Sequence, residues 1–253
     1  MNTWKLEIEY EGTRYRGWQM QPHNRTVQGE IIKAAEDIFQ SRIELSGAGR
    51  TDAGVHAFQQ IAHLRVRETN KDYKPNQLLF AFNDRLPHDI NILRIFNASN
   101  DFHARHNAVA RQYLYQISTR RTAFAKNHVW WIKDRLNLKA MEETTKLIVG
   151  KHDFRSFCEV ENEKDSTVVV VNSANLLTRG TMIYFRLNAS HFLWKMVRRL
   201  VGTMVEVGRG RFTVPDFESF LQTPNDTLAK YTAPPSGLFL EKVFYKIDEE
   251  ANL

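Results

Sequence analysis

An alternating stretch sets the start of the fold: Trp4-Lys5-Leu6-Glu7-Ile8-Glu9-Tyr10, with an apolar residue at every second position. A period of two predicts a strand with one buried face. From Val27 to Phe39 the apolar residues instead recur on one face of a helix, and Thr26 stands at the N-cap position before it. The remaining elements of this half are predicted as strands over 43–45, 59–67 and 90–96 and a helix that begins at Pro75.

The second half repeats the same order of elements. Its predicted strands span 109–118, 167–176, 182–188 and 238–247, and its predicted helices span 137–149 and a segment from Phe192. The order βαββαβ in each half is that of the ferredoxin-like fold. We therefore expect an α+β protein of two ferredoxin-like halves, 1–105 and 106–253, which form a largely antiparallel sheet with helices packed on it.

The composition fits a globular protein with a polyanionic partner, and equally a mildly basic enzyme. The 253 residues are 42% hydrophobic and 25% charged, with a net charge of +6. The longest apolar run, Leu78 to Phe82, is five residues, against roughly 18 for a membrane-spanning helix. The first residues also lack the apolar core of a signal peptide, so we expect a cytoplasmic protein with no membrane partner. The single cysteine, Cys158, excludes an intrachain disulfide.

A glycine-rich segment between two predicted strands is the first candidate for chemistry: Ser46-Gly47-Ala48-Gly49-Arg50-Thr51-Asp52-Ala53-Gly54-Val55-His56-Ala57. Its glycines indicate tight backbone geometry or the close approach of a ligand. No Gly-Lys-Ser/Thr follows, and Gly47 and Gly49 lack the third glycine of a dinucleotide loop. What remains is a carboxylate, Asp52, two residues from Arg50, for which an ordinary Asx-turn with an exposed arginine is the structural alternative.

This segment resembles the signature of the TruA-type tRNA pseudouridine synthase family, and further blocks match that family in its own order. The blocks are Tyr10-Glu11-Gly12 with Tyr15–Gln21 and Thr26–Gln28, Asn83–Ile90, Asp101–Arg105, Arg111–Tyr115, Gly150–Phe154, Phe192–Arg198 and Ala233–Leu240. Because the matches extend over nearly the whole chain, a chance likeness is very improbable.

The resemblance implies isomerisation of uridine to pseudouridine in RNA. Asp52 matches the family's catalytic aspartate and acts either as a nucleophile at C1′ or as a base at C2′; the resemblance leaves both routes open. Tyr113 matches the active-site tyrosine, which stacks on the uracil, whereas Tyr115 is expected in the core. Arg198 is expected to pair with Asp52 from the other half, in a basic active-site cleft at the junction. The structural alternatives are a core tyrosine for Tyr113 and a solvent-facing helical arginine for Arg198.

Further residues are expected to bind RNA, and none to bind a metal or an organic cofactor. Arg14 and Arg105 are candidate RNA contacts because basic residues near aromatic ones suit a nucleic-acid groove. Arg50 is expected to fill the space that the flipped base vacates or to bind its phosphate, and Leu238, which lies in a family block, is a candidate substrate contact. The histidines show no recognisable metal spacing, so His56, His103 and His152 are expected to make structural hydrogen bonds. The family also implies a homodimer and, as substrate, the anticodon stem-loop of tRNA at positions 38 to 40, although another structured RNA is possible.

Two other classes of protein remain to be weighed. The order βαββαβ is also that of RRM domains, which bind RNA without catalysis, but neither half contains the RNP1 pattern. An aspartate-dependent hydrolase would need a second carboxylate to activate water, and Asp52 has none beside it in the sequence. A carboxylate brought close to Asp52 by the fold would revive that interpretation.

Overall fold

A computed structural model describes residues 2–67, 73–160, 162 and 165–246. The chain divides into two compact units, unit 1 (Met1–Val109 with Phe239–Leu253) and unit 2 (Ala110–Leu238). Each unit combines helices with mainly antiparallel strands, which confirms the predicted α+β class. The division itself differs from the predicted halves 1–105 and 106–253, because the residues after Leu238 cluster with unit 1.

Unit 1 has the predicted order βαββαβ. Its elements are β1 (Asn2–Tyr10), α1 (Val27–Phe39), β2 (Ile43–Gly47), β3 (His56–Val66), α2 (Pro75–Asn83) and β4 (Ile90–Ala98). Strand β1 lies antiparallel between β3 and β4, and β2 pairs antiparallel with the second half of β3. The resulting order, β4-β1-β3-β2, builds a four-stranded antiparallel sheet.

Local signals explain how these elements form. The Thr26 side chain accepts a hydrogen bond from the Gly29 amide at 3.3 Å and caps α1, and Pro75 occupies the first turn of α2, where its missing N–H costs nothing. Leu6 and Ile8 of β1 are fully buried, as the alternation predicts. Glu7 is buried as well, and an ion pair with Arg94 of the neighbouring β4 compensates its charge.

The last strand, β10 (Leu238–Tyr245), joins unit 1 from Phe239 onward. Phe239 and Leu240 pair in parallel with the first residues of β3. At its other end, the Tyr245 hydroxyl donates a buried hydrogen bond to the Ala104 carbonyl at 2.7 Å. The predicted end of this strand, residue 247, lies outside the described residues.

Unit 2 contains a second set of antiparallel strands with helices. Its elements are β5 (Ala108–Ser118, which belongs to the unit from Ala110 onward), β6 (Trp130–Trp131), α3 (Leu138–Leu147), β7 (Gly150–Asp153), β8 (Val168–Arg179), β9 (Met182–Ala189), α4 (Met196–Gly208) and α5 (Val214–Gln222). The sheet order within the unit is β5-β9-β8-β7, all antiparallel, and β6 pairs in parallel with the end of β5.

The helix predicted from Phe192 begins four residues later, at Met196. The residue before it, Lys195, has a φ of 61° in the left-handed region, which separates the preceding turn from the helix. Helix α5 is absent from the sequence prediction, although Thr213 and Asp216 form a capping box at its start. The sequence prediction contains no helix between Val207 and the last strand, so α5 was missed.

Across the described ranges, every helix is too short or too polar to cross a membrane.

Candidate active site

The loop of residues 48–55, which joins β2 to β3 in unit 1, is fixed by the chain segment that follows β1. The Trp18 amide donates to the Thr51 carbonyl at 3.0 Å, and the Gly54 amide donates to the Tyr15 carbonyl at 3.3 Å. A buried hydrogen bond of 2.7 Å joins the Tyr10 hydroxyl to Thr51 Oγ1. The residue just before Asp52 is therefore held through both its backbone and its side chain.

Two glycines let these segments approach each other. A Cβ at Gly12 would lie 1.9 Å from the Val55 carbonyl oxygen, and a Cβ at Gly17 would lie 2.6 Å from that of Thr51. Gly17 also has a φ of 95°, which residues with a side chain rarely adopt. Both positions need glycine because the backbone of the 48–55 loop occupies the space of a side chain.

The three glycines of the Asp52 segment have different surroundings. A Cβ at Gly47 would lie 2.7 Å from the Trp18 ring, and Gly54 has a φ of 78°. At Gly49, by contrast, a Cβ would meet no atom of the described residues within 4 Å. The expectation of tight geometry holds for Gly47 and Gly54, whereas the space beside Gly49 is open.

Asp52 itself is half-buried at the start of a turn in which the Val55 amide donates to the Asp52 carbonyl at 3.1 Å. Gly54, with its positive φ, allows this turn. The neighbouring Arg50 is exposed, as is Arg14 in the 3₁₀ turn Gly12–Arg14. Unit 1 therefore presents a carboxylate on a fixed turn, and both predicted arginines have exposed side chains.

His56, the first residue of β3, follows the 48–55 loop directly. It is almost fully buried, and its Nδ1 accepts a hydrogen bond from the Gly12 amide at 3.0 Å. Its ring stacks on Phe239 with 4.7 Å between ring centroids, and Phe239 stacks on Phe58 at 4.6 Å. Phe58, the last ring of this stack, is 44% exposed.

The other two histidines that were expected to be structural also make hydrogen bonds. His103 Nδ1 accepts from the Arg105 amide at 3.2 Å, and His152 Nε2 lies 3.0 Å from the Val149 carbonyl oxygen. The side chain of Arg105, the third predicted RNA-binding arginine, is exposed.

In unit 2, Tyr113 lies on β5 opposite Leu187. It is buried and makes an edge-to-face contact with Phe192 at 4.7 Å. Tyr115, two residues further along, is fully buried and donates a hydrogen bond to the Pro234 carbonyl at 2.7 Å. Burial raises the pKa of Tyr115 well above its usual value, and the Arg198 charge opposes that shift. Tyr115 is thus a core residue, as expected.

Arg198 is half-buried in the first turn of α4 and bonded to one residue in two ways. Its Nε donates to the Ala233 carbonyl at 2.8 Å, and the Ala233 amide donates to the Arg198 carbonyl at 3.0 Å. Leu238, five residues beyond Ala233, is buried. Arg199 is buried too and pairs with Glu159 at 3.5 Å. Of these two adjacent arginines, Arg198 is the more accessible.

The chain is similar to known proteins over most of its length. The sequence profile of the tRNA pseudouridine synthase family matches residues 7–107 and 145–246. Proteins named tRNA pseudouridine synthase A are 38% identical in Dictyoglomus thermophilum, over 97% of this chain and 100% of the relative, and 39% identical in Aquifex aeolicus, over 96% and 99%. In Brachyspira hyodysenteriae the identity is 36%, over 97% and 99%.

The chain therefore belongs to the tRNA pseudouridine synthase family. As a member it is an enzyme, an isomerase. The two matched ranges contain the segments of Asp52 and Arg198, whereas Tyr113 falls between them. The sequence did not single out Tyr10, Gly17 or His56 as supports of the 48–55 loop. The signal that could have pointed to Tyr10 and Gly17 is that both lie in segments matching the family's opening block.

Proposed function

We propose that this enzyme converts uridine to pseudouridine in the anticodon stem-loop of tRNA, with Asp52 as the catalytic carboxylate. Pseudouridine synthesis in tRNA follows from the family and from relatives that align with almost the whole chain. The observation that best supports Asp52 is its place on a turn fixed by backbone and side-chain bonds at Thr51, Gly54 and Val55. A reacting group gains most from a fixed position, because orientation supplies a large part of catalysis.

The isomerisation leaves the number of atoms in the nucleotide unchanged. The bond between ribose C1′ and uracil N1 breaks, the uracil turns, and a bond forms between C1′ and C5. The hydrogen on C5 then leaves, and N1 takes up a proton. An ionised Asp52 serves this reaction either by attacking C1′ or by removing a proton from C2′. Both routes require the carboxylate to be restored at the end.

Tyr113 and Arg198 are proposed as further catalytic residues. A tyrosine supplies a ring for stacking on the flipped base and a hydroxyl for proton exchange at C5. For Arg198, the bond from Nε to the Ala233 carbonyl fixes the direction of the guanidinium. The proposed phosphate contacts are Arg14, Arg50 and Arg105, which are all exposed. The role of Leu238 in substrate binding, the homodimer and the cytoplasmic location stay predictions from the sequence.

The decisive experiment separates binding from chemistry. Asp52→Asn keeps the size of the side chain and removes the charge. It should bind tRNA with nearly unchanged Kd and release no tritium from RNA labelled at uridine C5. Asp226→Asn, at an exposed aspartate of unit 2, is the matched control and should keep full activity. Tritium release by a verified Asp52→Asn protein would refute the catalytic role.

The target is tested by mapping pseudouridines in tRNA treated with the wild-type enzyme. Modification at positions 38 to 40 supports the anticodon stem-loop, and modification elsewhere in tRNA or in another RNA contradicts it. An RNA-binding protein without catalysis would leave every uridine unchanged while binding tRNA normally.

A further inference from the structure

A second surface, distant in sequence from Asp52, has the composition of an RNA contact. It is the 119–131 loop of unit 2, Thr119-Arg120-Arg121-Thr122-Ala123-Phe124-Ala125-Lys126-Asn127-His128-Val129-Trp130-Trp131, which contains three cations and no carboxylate. The side chains of Arg120, Arg121 and Lys126 are all exposed. Phe124 is 87% exposed and Trp131 43% exposed. The loop lies between the two ranges that match the family profile.

Both ends of the 119–131 loop are anchored to the core of unit 2. The Thr119 amide donates to the Thr181 carbonyl at 2.9 Å. At the other end, Trp130 pairs with Ile117 in the β5–β6 ladder, and its ring makes an edge-to-face contact with Tyr115 at 6.3 Å between centroids. The exposed rings are therefore held on a fixed base.

The middle of the loop turns so that Phe124 points outward. Ala125 has a φ of 56°, and the His128 amide donates to the Ala125 carbonyl at 2.9 Å. The Thr122 hydroxyl donates to the Phe124 carbonyl at 2.8 Å, which fixes the backbone on the other side. A phenylalanine held this far into solvent gains nothing from burial within its own unit, so its ring is available to a partner.

The second exposed ring already has a cation over its face. The Arg121 guanidinium lies 5.7 Å from the centroid of the Trp131 ring. Arginine beside an aromatic ring is a frequent arrangement in proteins that bind single-stranded nucleic acid, because the ring stacks on a base while the cation neutralises a phosphate. A duplex offers few exposed base faces, so rings of this kind favour unpaired nucleotides.

We propose that the 119–131 loop binds unpaired nucleotides of the RNA substrate, with Phe124 stacked on a base and Arg120, Arg121 and Lys126 close to phosphates. The proposal rests on RNA as the substrate, which is the proposed function. RNA is favoured over a protein or membrane partner because the apolar surface is provided by aromatic rings and every charged side chain in the loop is positive.

Binding measurements at one salt concentration test the ring. Phe124→Leu keeps an apolar side chain but removes the ring, whereas Phe124→Trp keeps a stacking surface. For a tRNA stem-loop with unpaired nucleotides, Phe124→Leu should raise Kd about tenfold, in line with the loss of one stacked base, and Phe124→Trp should stay near wild type. Neither change should alter the Kd for the same stem closed into a continuous duplex.

A matched control keeps this result specific. Phe80 of α2 is 70% exposed, so Phe80→Leu makes the same chemical change at a similarly exposed site and should leave Kd unchanged. Arg121→Gln should make the fall of affinity with salt less steep by about one released counterion. Equal stem-loop affinities for Phe124→Leu and wild type would overturn the proposal.

Sedimentation of each variant tests the alternative that Phe124 contacts a second copy of the chain. If Phe124→Leu converts a dimer to a monomer, the ring belongs to an interface between copies of the chain, and the proposal is wrong. Pseudouridine formation by the wild-type enzyme is measured in the same series. Its absence contradicts the proposed function, whereas normal activity with unchanged Phe124→Leu binding contradicts only the role of the loop.

Discussion

The Tyr10 hydroxyl and Thr51 Oγ1 lie 2.7 Å apart in a buried hydrogen bond that joins the end of β1 to the residue before Asp52. The two residues are 41 positions apart in the sequence. Because β1 is paired with β3 on one side and with β4 on the other, this bond ties the 48–55 loop to an interior strand of the sheet. The sheet thereby restrains the residue that directly precedes the proposed catalytic Asp52.

Tyr10→Phe tests that role, since it removes only the hydroxyl. We expect a loss of about 1 kcal/mol in the free energy of unfolding and a kcat for pseudouridine formation roughly tenfold lower, with little change in KM. Tyr73→Phe is the control, because it removes a hydroxyl that donates to the Ile38 carbonyl elsewhere in unit 1. If both variants lower kcat equally, the Tyr10 bond has no special part in positioning Asp52.

The glycines around the 48–55 loop should respond differently to a methyl group. Gly17→Ala places a Cβ 2.6 Å from the Thr51 carbonyl oxygen at a φ of 95°, and it should lower the free energy of unfolding by about 2 kcal/mol or more. Gly49→Ala meets open space within the described part of the chain, and it should be neutral or stabilising by about 0.4–1 kcal/mol. Urea unfolding of both variants checks this. A tolerated Gly17→Ala would mean that the loop can move away.

Local patterns predicted much of unit 1, because its elements are specified by neighbouring residues. The alternation over β1, the Thr26 cap and Pro75 are each visible within a few positions. The grouping of β10 with unit 1 depends on pairing between Phe239 and His56, which no local pattern reveals. The first turn of α4 was misplaced for another reason, since its start depends on the left-handed backbone of Lys195.

For the candidate site, the sequence offered a motif but not the contacts that surround it. A motif identified Asp52, but the contacts that hold its loop join Tyr10, Gly12 and Gly17 to residues about 40 positions away. Sequence periodicity carries no information about such contacts. Arg198 illustrates the same limit, because its bond to Ala233 spans 35 positions.

Arg198→Lys separates the charge from the geometry of this side chain. Lysine keeps the positive charge but has no Nε–H, so the bond to the Ala233 carbonyl is lost while the backbone bond from Ala233 to residue 198 stays. We expect a folded protein with tRNA affinity near wild type and a kcat at least tenfold lower. Wild-type turnover by Arg198→Lys would show that only the charge matters, and a raised Kd would assign Arg198 to RNA binding.

Removal of metal ions should leave the chemistry intact, because the sequence predicts neither a metal nor an organic cofactor. Metal-stripped enzyme in the presence of a chelator should still release tritium from RNA labelled at uridine C5. The RNA must be shown to stay folded under these conditions, for example by its melting curve. Loss of activity with folded RNA, restored by one added divalent metal, would contradict the prediction.

A buried histidine should make the stability of the protein depend on pH. His63 is fully buried, and its Nδ1 accepts a hydrogen bond from the Ala104 amide at 3.1 Å. A proton added at Nδ1 would remove that bond. Burial, assisted by the charge of Arg65 and by His103, lowers the pKa of His63 to about 4, although Glu44 opposes the shift.

The sign of the effect follows from comparing the two states of His63. In the unfolded chain its pKa is about 6.5, so between pH 6.5 and 4 the unfolded state binds more protons, and the stability falls as the pH falls. Near pH 5 this histidine should contribute a slope of somewhat less than about 1.4 kcal/mol per pH unit. His63→Gln removes the titrating group and keeps an acceptor for the Ala104 amide. Urea unfolding at several pH values should therefore give a shallower pH dependence for His63→Gln than for wild type, whatever their offset at pH 7, and parallel curves would contradict the prediction.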